Sequence, residues 1–231
     1  SAVDLLEDLN SPAYKIASFE LVDLPLIKYV AQTGKPIIMS TGMANEEEID
    51  EAIETAKDAG GSQLAILHCV SSYPALAEDY NLNTMVHMQK RFGLVTGLSD
   101  HTIENITAIT SVGLGASIIE KHVTLDRNGG GPDDSFSLEM KELKELCIDV
   151  KTAWKSLGNV DYGVKSSEKA SIKFRRSLYI VKDIKKNECI TESHIKSIRP
   201  GYGLHPKEIE NILGRKVTKN LIRGTAIKKA H

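Results

Sequence analysis

Two histidines, His101 and His122, follow short apolar runs in "GLSDHTIENITAITSVGLGASIIEKHVTLD". A single histidine is more often a satisfied core or surface residue than a metal ligand. Here each run reads as a buried strand, so both imidazoles fall at strand carboxyl ends in adjacent units. Neighbouring strands lie about 4.8 Å apart. Two imidazoles that close can share a divalent ion, with water or substrate oxygens completing its shell. Asp100 and Glu120 are carboxylates placed to support or join such a site. Lys15 and Ser18, Ser40-Thr41-Gly42, and Ser99 also follow strand-like runs. Lysine charge with hydroxyl and backbone N–H donors is the chemistry of a phosphate or carboxylate cradle, although serines at strand ends are also common turn and cap residues. The glycine-rich "NGGGPDDSF" (128–136), with Asp133 and Asp134, is either a flexible loop or a cover for bound substrate.

The elements that must position these residues come in alternation. Strand candidates are "AYKIAS" (13–18), "PIIMST" (36–41), "LAILH" (64–68), "LVTGLS" (94–99) and "SIIEKH" (117–122), short and apolar as in a parallel sheet buried on both faces. Amphipathic helices separate them. In "NEEEIDEAIETAKDAGG", Ile49, Ala52, Ile53 and Ala56 share one face, Asn45 caps the start, and Gly60-Gly61 suits the exit. "TIENITAITSVG" repeats the pattern with Thr102 at the cap, and a long helix is expected over about 138–156. Repeated βα units mean a doubly wound sheet or a (β/α)₈ barrel. No GxGxxG follows the first strand. Only a barrel gathers successive strand ends onto one mouth, so the expected fold is α/β, with five βα units of a TIM (β/α)₈ barrel over 1–157. A polar linker over 158–173 leads to a small domain of short strands over 174–231.

Composition narrows the function classes. With 41% hydrophobic and 26% charged residues in a 231-residue chain, this is a globular protein. A net charge of −2 gives no basic field for nucleic acid. Cys69, Cys147 and Cys189 form no CxxC and suit a reducing compartment. No apolar run approaches the roughly 20 residues of a membrane span, and no signal-peptide pattern opens the chain. The expected location is cytoplasmic.

The ordered motifs "YKIASFE", "IIMSTGM", "LHCVSSYP", "GLSDHT", "GASIIEKHVTLD" and "GPDDSFS" resemble the bacterial sialic acid (nonulosonic acid) synthase family. The tail from "RRSLYIVKDIKKNECIT" through "RPG" to "LGRKV" resembles its SAF (antifreeze-like, β-clip) domain, and "FRRSLYIVKDI" and "GLHPKEIENILGRK" resemble the pseudaminic acid synthases more than the N-acetylneuraminate enzymes. The resemblance covers nearly the whole chain. It implies metal-dependent condensation of phosphoenolpyruvate with an open-chain N-acetylated amino sugar, giving a nine-carbon 2-keto-3-deoxy acid and phosphate, in a domain-swapped homodimer. It implies that His101 and His122 hold Mn²⁺ or Mg²⁺, that Lys15, Ser18, Ser40 and Ser99 bind phosphoenolpyruvate, and that Tyr73 and Asp133 face the sugar. Arg199 would reach a partner subunit's sugar site. Ser71 is a departure, standing where N-acetylneuraminate synthases have an asparagine that contacts phosphoenolpyruvate. No catalytic acid or base is assigned.

N-acetylneuraminate and legionaminate synthases share these motifs and remain alternatives. A binding protein that grips carbohydrate or ice through the SAF-like domain is a rival of another class. An ice-binding face is poor in charge, and this tail carries Lys182, Lys185, Lys186, Lys196, Arg199 and Lys207. Against eight strands in a closed barrel, the sequence offers five. The expectation is an open sheet, with the other strands supplied elsewhere, and no turnover by this chain alone.

Overall fold

A computed structural model of the chain describes residues 1–229. Ser1–Asn159 form one unit and the residues from Val160 onward a second. After helix α1 (Ala2–Asp8), the first unit alternates strictly: β1 (Tyr14–Ile16), α2 (Leu24–Ala31), β2 (Ile37–Ser40), α3 (Glu46–Asp58), β3 (Leu64–Cys69), α4 (Asn83–Phe92), β4 (Val95–Asp100), α5 (Ile106–Gly113) and β5 (Ile119–Lys121). The five strands pair in chain order, all parallel. This curled sheet is half of a TIM-type barrel: β1 and β5 each have a strand neighbour on one side only, among the described residues. A short parallel pair, β6 (Val123–Thr124) with β7 (Leu138–Glu139), then leads into α6 (Met140–Leu157).

Local chemistry explains the helices. Asn45 and Glu48 form a reciprocal capping box, at 2.9 and 2.8 Å, that satisfies two donors at the start of α3. Ile49, Ala52, Ile53 and Ala56 form its buried stripe, and the chain leaves through Gly60. Helix α5 corrects one expectation. It starts after Asn105 rather than at Thr102, because Thr102 gives its amide to Asp100 Oδ1 and its hydroxyl to the Glu104 carbonyl. That local turn consumes the groups a cap would use.

Register assigns the sheet's two faces, since side chains alternate along a strand and register partners share a side. Tyr14, Ile16, Ile37, Met39, Leu64 and Ile66 point outward and pack with α2 and α3 residues such as Ile27, Val30, Ile49 and Ile53. Lys15, Ser40, Cys69, Ser99 and Glu120 take the inner face. Gly97 is required on that face: a Cβ there would lie 2.8 Å from Leu67 Cδ2 and closer still to the Ile118 carbonyl oxygen.

The second unit holds a 3₁₀ stretch, Ser166–Phe174, within and just past the segment read as a linker. Strands β8 (Ser177–Ile180) and β9 (Ile195–Ile198) pair antiparallel, and isolated bridges join Tyr179 to Ala226, Ile184 to Leu221 and Cys189 to Lys216. With the short helix α7 (Ile209–Ile212), they enclose a small core that includes Leu178, Ile180, Ile195 and Leu221. No helix among the described residues is long and apolar enough to cross a membrane.

Candidate active site at the strand ends

On the inner face, Ser99 Oγ donates to Glu120 Oε1 at 2.7 Å. Lys15 Nζ lies 3.4 Å from Glu120 Oε2, so two of the expected anion binders already converge on a carboxylate. Glu120 therefore belongs to the inner face. Ser18 Oγ accepts the Gly42 amide at 3.0 Å. A Cβ on Gly42 would lie 2.8 Å from Ser18 Oγ and nearer still to Ser71 Oγ, so the missing side chain leaves room for both hydroxyls beside the backbone. The hydroxyls of Ser40 and Ser71 are buried and, among the described residues, have no hydrogen-bond partner. Such groups are uncommon in native proteins and mark positions that a ligand or water would satisfy. Thr41 is different: its hydroxyl donates to the Leu67 carbonyl and is not available to a ligand.

The two histidines face one another, with ring centroids 5.2 Å apart and planes at 69°. His101 Nδ1 lies 2.7 Å from the Val70 carbonyl oxygen. A carbonyl only accepts, so Nδ1 donates, and in the neutral ring Nε2 keeps a lone pair. The backbone amide of His101 donates to Tyr80 Oη at 2.7 Å, and that hydroxyl donates to the Ser99 carbonyl at 3.1 Å. Burial works against a charged His101, but the Cys69 thiol 4.0 Å away and the Val70 carbonyl outweigh it and raise its pKa. Burial, reinforced by the neighbouring His101, lowers that of His122. A lowered pKa keeps an imidazole neutral, the form that binds metal. His122 Nδ1 lies 3.5 Å from Asp133 Oδ2.

This donor set fits a divalent ion. It offers a lone pair fixed by a backbone hydrogen bond and a second imidazole opposite. Among the described residues, no group of three or more His, Cys, Asp or Glu side chains forms a metal cage. The protein would thus supply two nitrogens, leaving other positions to water and substrate.

The loop after β6 splits its acidic pair. Asp133 faces His122, whereas Asp134 is a staple that accepts from Thr124 Oγ1 at 2.6 Å and the Gly131 amide at 2.7 Å. Tyr73 lies against His101 with centroids 4.3 Å apart, and Phe136 closes on both Tyr73 and His122. Three of the site's members were not singled out from sequence: Phe136, the buried Cys69, and Tyr80. Cys69 ends an apolar run and reads as core, while Phe136 and Tyr80 are lone aromatics in polar loops, and only the fold reveals which wall each lines. Asp100 does not join the histidines as a direct ligand, which corrects half of its expectation. The strand pleat turns it to the outer face, where it pairs with Lys121 at 2.9 Å, away from the histidines. Arg199, at the end of β9, is an exposed residue of the second unit.

Residues 1–162 match the model of the NeuB family. The chain belongs to that family. Residues 175–231 match the SAF domain. Among relatives, the pseudaminic acid synthase of Helicobacter pylori is 44% identical over 228 residues, covering 98% of this chain and 67% of that protein. The N,N'-diacetyllegionaminic acid synthase of Campylobacter jejuni is 40% identical, covering 95% of this chain and 66% of that one. The crystal structure of the spore coat polysaccharide biosynthesis protein SpsE of Bacillus subtilis superposes with a TM-score of 0.66 at 34% identity, covering 98% of this chain and 69% of that structure. The chain thus spans about two thirds of the length of these family members.

Proposed function

We propose that the protein is a nonulosonic acid synthase, and specifically a pseudaminic acid synthase, that condenses phosphoenolpyruvate with an open-chain N-acetylated amino sugar. The observation that carries this reading is the convergence of Lys15 and Ser99 on one carboxylate, on the same sheet face as an unpartnered serine hydroxyl. With the Glu120 carboxylate turned aside, these groups would form an anion site at the sheet end where His101 and His122 meet. The 44% identity to a pseudaminic acid synthase supports the choice of product, and the 40% identity to a legionaminic acid synthase keeps that sugar as the second reading.

Lys15 and the hydroxyls of Ser18, Ser40, Ser71 and Ser99 would hold the phosphate and carboxylate of phosphoenolpyruvate and aim its C3 toward the aldehyde. Tyr73 and Asp133 would contact the sugar. A divalent ion, Mn²⁺ or Mg²⁺, on His101 and His122 would supply Lewis acidity at the aldehyde oxygen. The new carbon–carbon bond joins C3 to the aldehyde carbon, water adds at C2, and phosphate leaves. The five-stranded sheet alone is expected to be inactive: its two edges leave backbone donors and acceptors unpaired.

The test is phosphate release by the protein at the length of its relatives, with phosphoenolpyruvate and a panel of N-acetylated hexoses, with and without Mn²⁺. Release that needs both Mn²⁺ and one amino sugar is expected. No sugar-dependent release across the panel would overturn the reading.

A further inference from the structure

His101 and His122 each follow a residue that the pleat turns to the far side of the sheet. Those residues, Asp100 and Lys121, are register partners and form the last rung of the β4–β5 ladder. Lys121 Nζ lies 2.9 Å from Asp100 Oδ2, with side chains 4% and 0% exposed. The same ammonium donates to the carbonyls of Thr102 and Glu104 at 2.5 and 3.0 Å, and Asp100 Oδ1 accepts the Thr102 amide at 2.9 Å. The backbone on both sides of His101 is therefore tied to the residue that precedes His122. Past this rung the ladder pairs no further residues of the two strands, so their sheet register does not fix the separation of the histidines.

Stability is a poor reason for two charges at this place. A buried ion pair is often no better than apolar residues of similar volume, and the rest of the outer face is built from residues such as Met39, Ile66 and Leu98. What an apolar pair cannot do is fix direction. We infer that Asp100 and Lys121 are positioning residues whose ion pair sets the spacing and orientation of the His101 and His122 imidazoles, and through them the affinity for a divalent cation. The inference rests on the metal reading given above.

The test compares the parent protein with Asp100→Leu/Lys121→Met, which keeps the volume but removes the directional bonds, and with Asp100→Asn. Mn²⁺ binding is titrated by electron paramagnetic resonance, pulsed spectra count the imidazole nitrogens coupled to the ion, and circular dichroism follows thermal unfolding. The double variant is expected to fold, to bind Mn²⁺ about tenfold to a hundredfold more weakly, and to lose one of two nitrogen couplings. Asp100→Asn is expected to show a smaller loss, and it decides the question if the double variant does not fold. Unchanged affinity and couplings in the folded variants would overturn the clamp and leave the metal site standing. A parent protein that binds no Mn²⁺ would overturn the metal reading, and the clamp with it.

Discussion

The two faces of one five-stranded sheet obey different rules. The outer face is mostly apolar and packed on helices, and its buried Asp100–Lys121 pair is fully bonded. The inner face holds a half-exposed lysine and glutamate, a buried thiol and an unpartnered serine hydroxyl. Burial of apolar side chains stabilises a fold, whereas polar groups aimed at a shared space stabilise it little and suit a ligand. The same strands therefore carry stability on one side and chemistry on the other, one residue apart.

The comparison can be broken by substitution. The largest effect expected is from His122→Ala, which should abolish metal-dependent phosphate release while shifting unfolding free energy by no more than about 0.5 kcal/mol, since the ring is partly exposed. Substantial remaining turnover would remove the histidine pair from the mechanism. On the outer face, Ile66→Ala should cost about 2–5 kcal/mol in denaturant unfolding, with the KM for phosphoenolpyruvate unchanged in the folded fraction. Ser40→Ala should invert that result. Losing an unpartnered hydroxyl leaves stability unchanged or raises it by about 1 kcal/mol, while KM rises roughly tenfold, as for one lost hydrogen bond to a charged group. A clear fall in melting temperature would mean that Ser40 serves the fold. The smallest signal concerns the second unit. Mixing subunits disabled at Arg199 with subunits disabled at His101 should restore roughly a quarter of wild-type turnover, if Arg199 completes a partner's site in a symmetric dimer. No recovery would show that it acts within its own chain.

The strands were legible because each is a short apolar run closed by polar residues, and a parallel sheet buried on both faces imposes that pattern. His101 and His122 were legible for the same reason, as polar residues just past such runs. The start of α5 was not, because Thr102 looks like a cap until the competing turn to Asp100 and Glu104 is visible. Nor was the direction of Asp100 or Glu120. Facing depends on strand register, and a shift of one residue exchanges the two sides. Tyr80 is the extreme case. It precedes the start of β4 at Val95 by fifteen residues, yet its hydroxyl holds both the Ser99 carbonyl and the His101 amide, a role that no local pattern encodes.

Gly42 bears on how such a chain could lose its chemistry over generations. Its missing side chain leaves the room that the Ser18 and Ser71 hydroxyls occupy. One added methyl group would turn those hydroxyls aside, and the outer core, on the opposite side of the sheet, would feel none of it. A lineage carrying that change would still assemble the helix-packed outer core, with the damage confined to the strand ends where the serines must give way. Selection acting on folding would pass over it, and only the missing product would reveal that the gene had fallen silent.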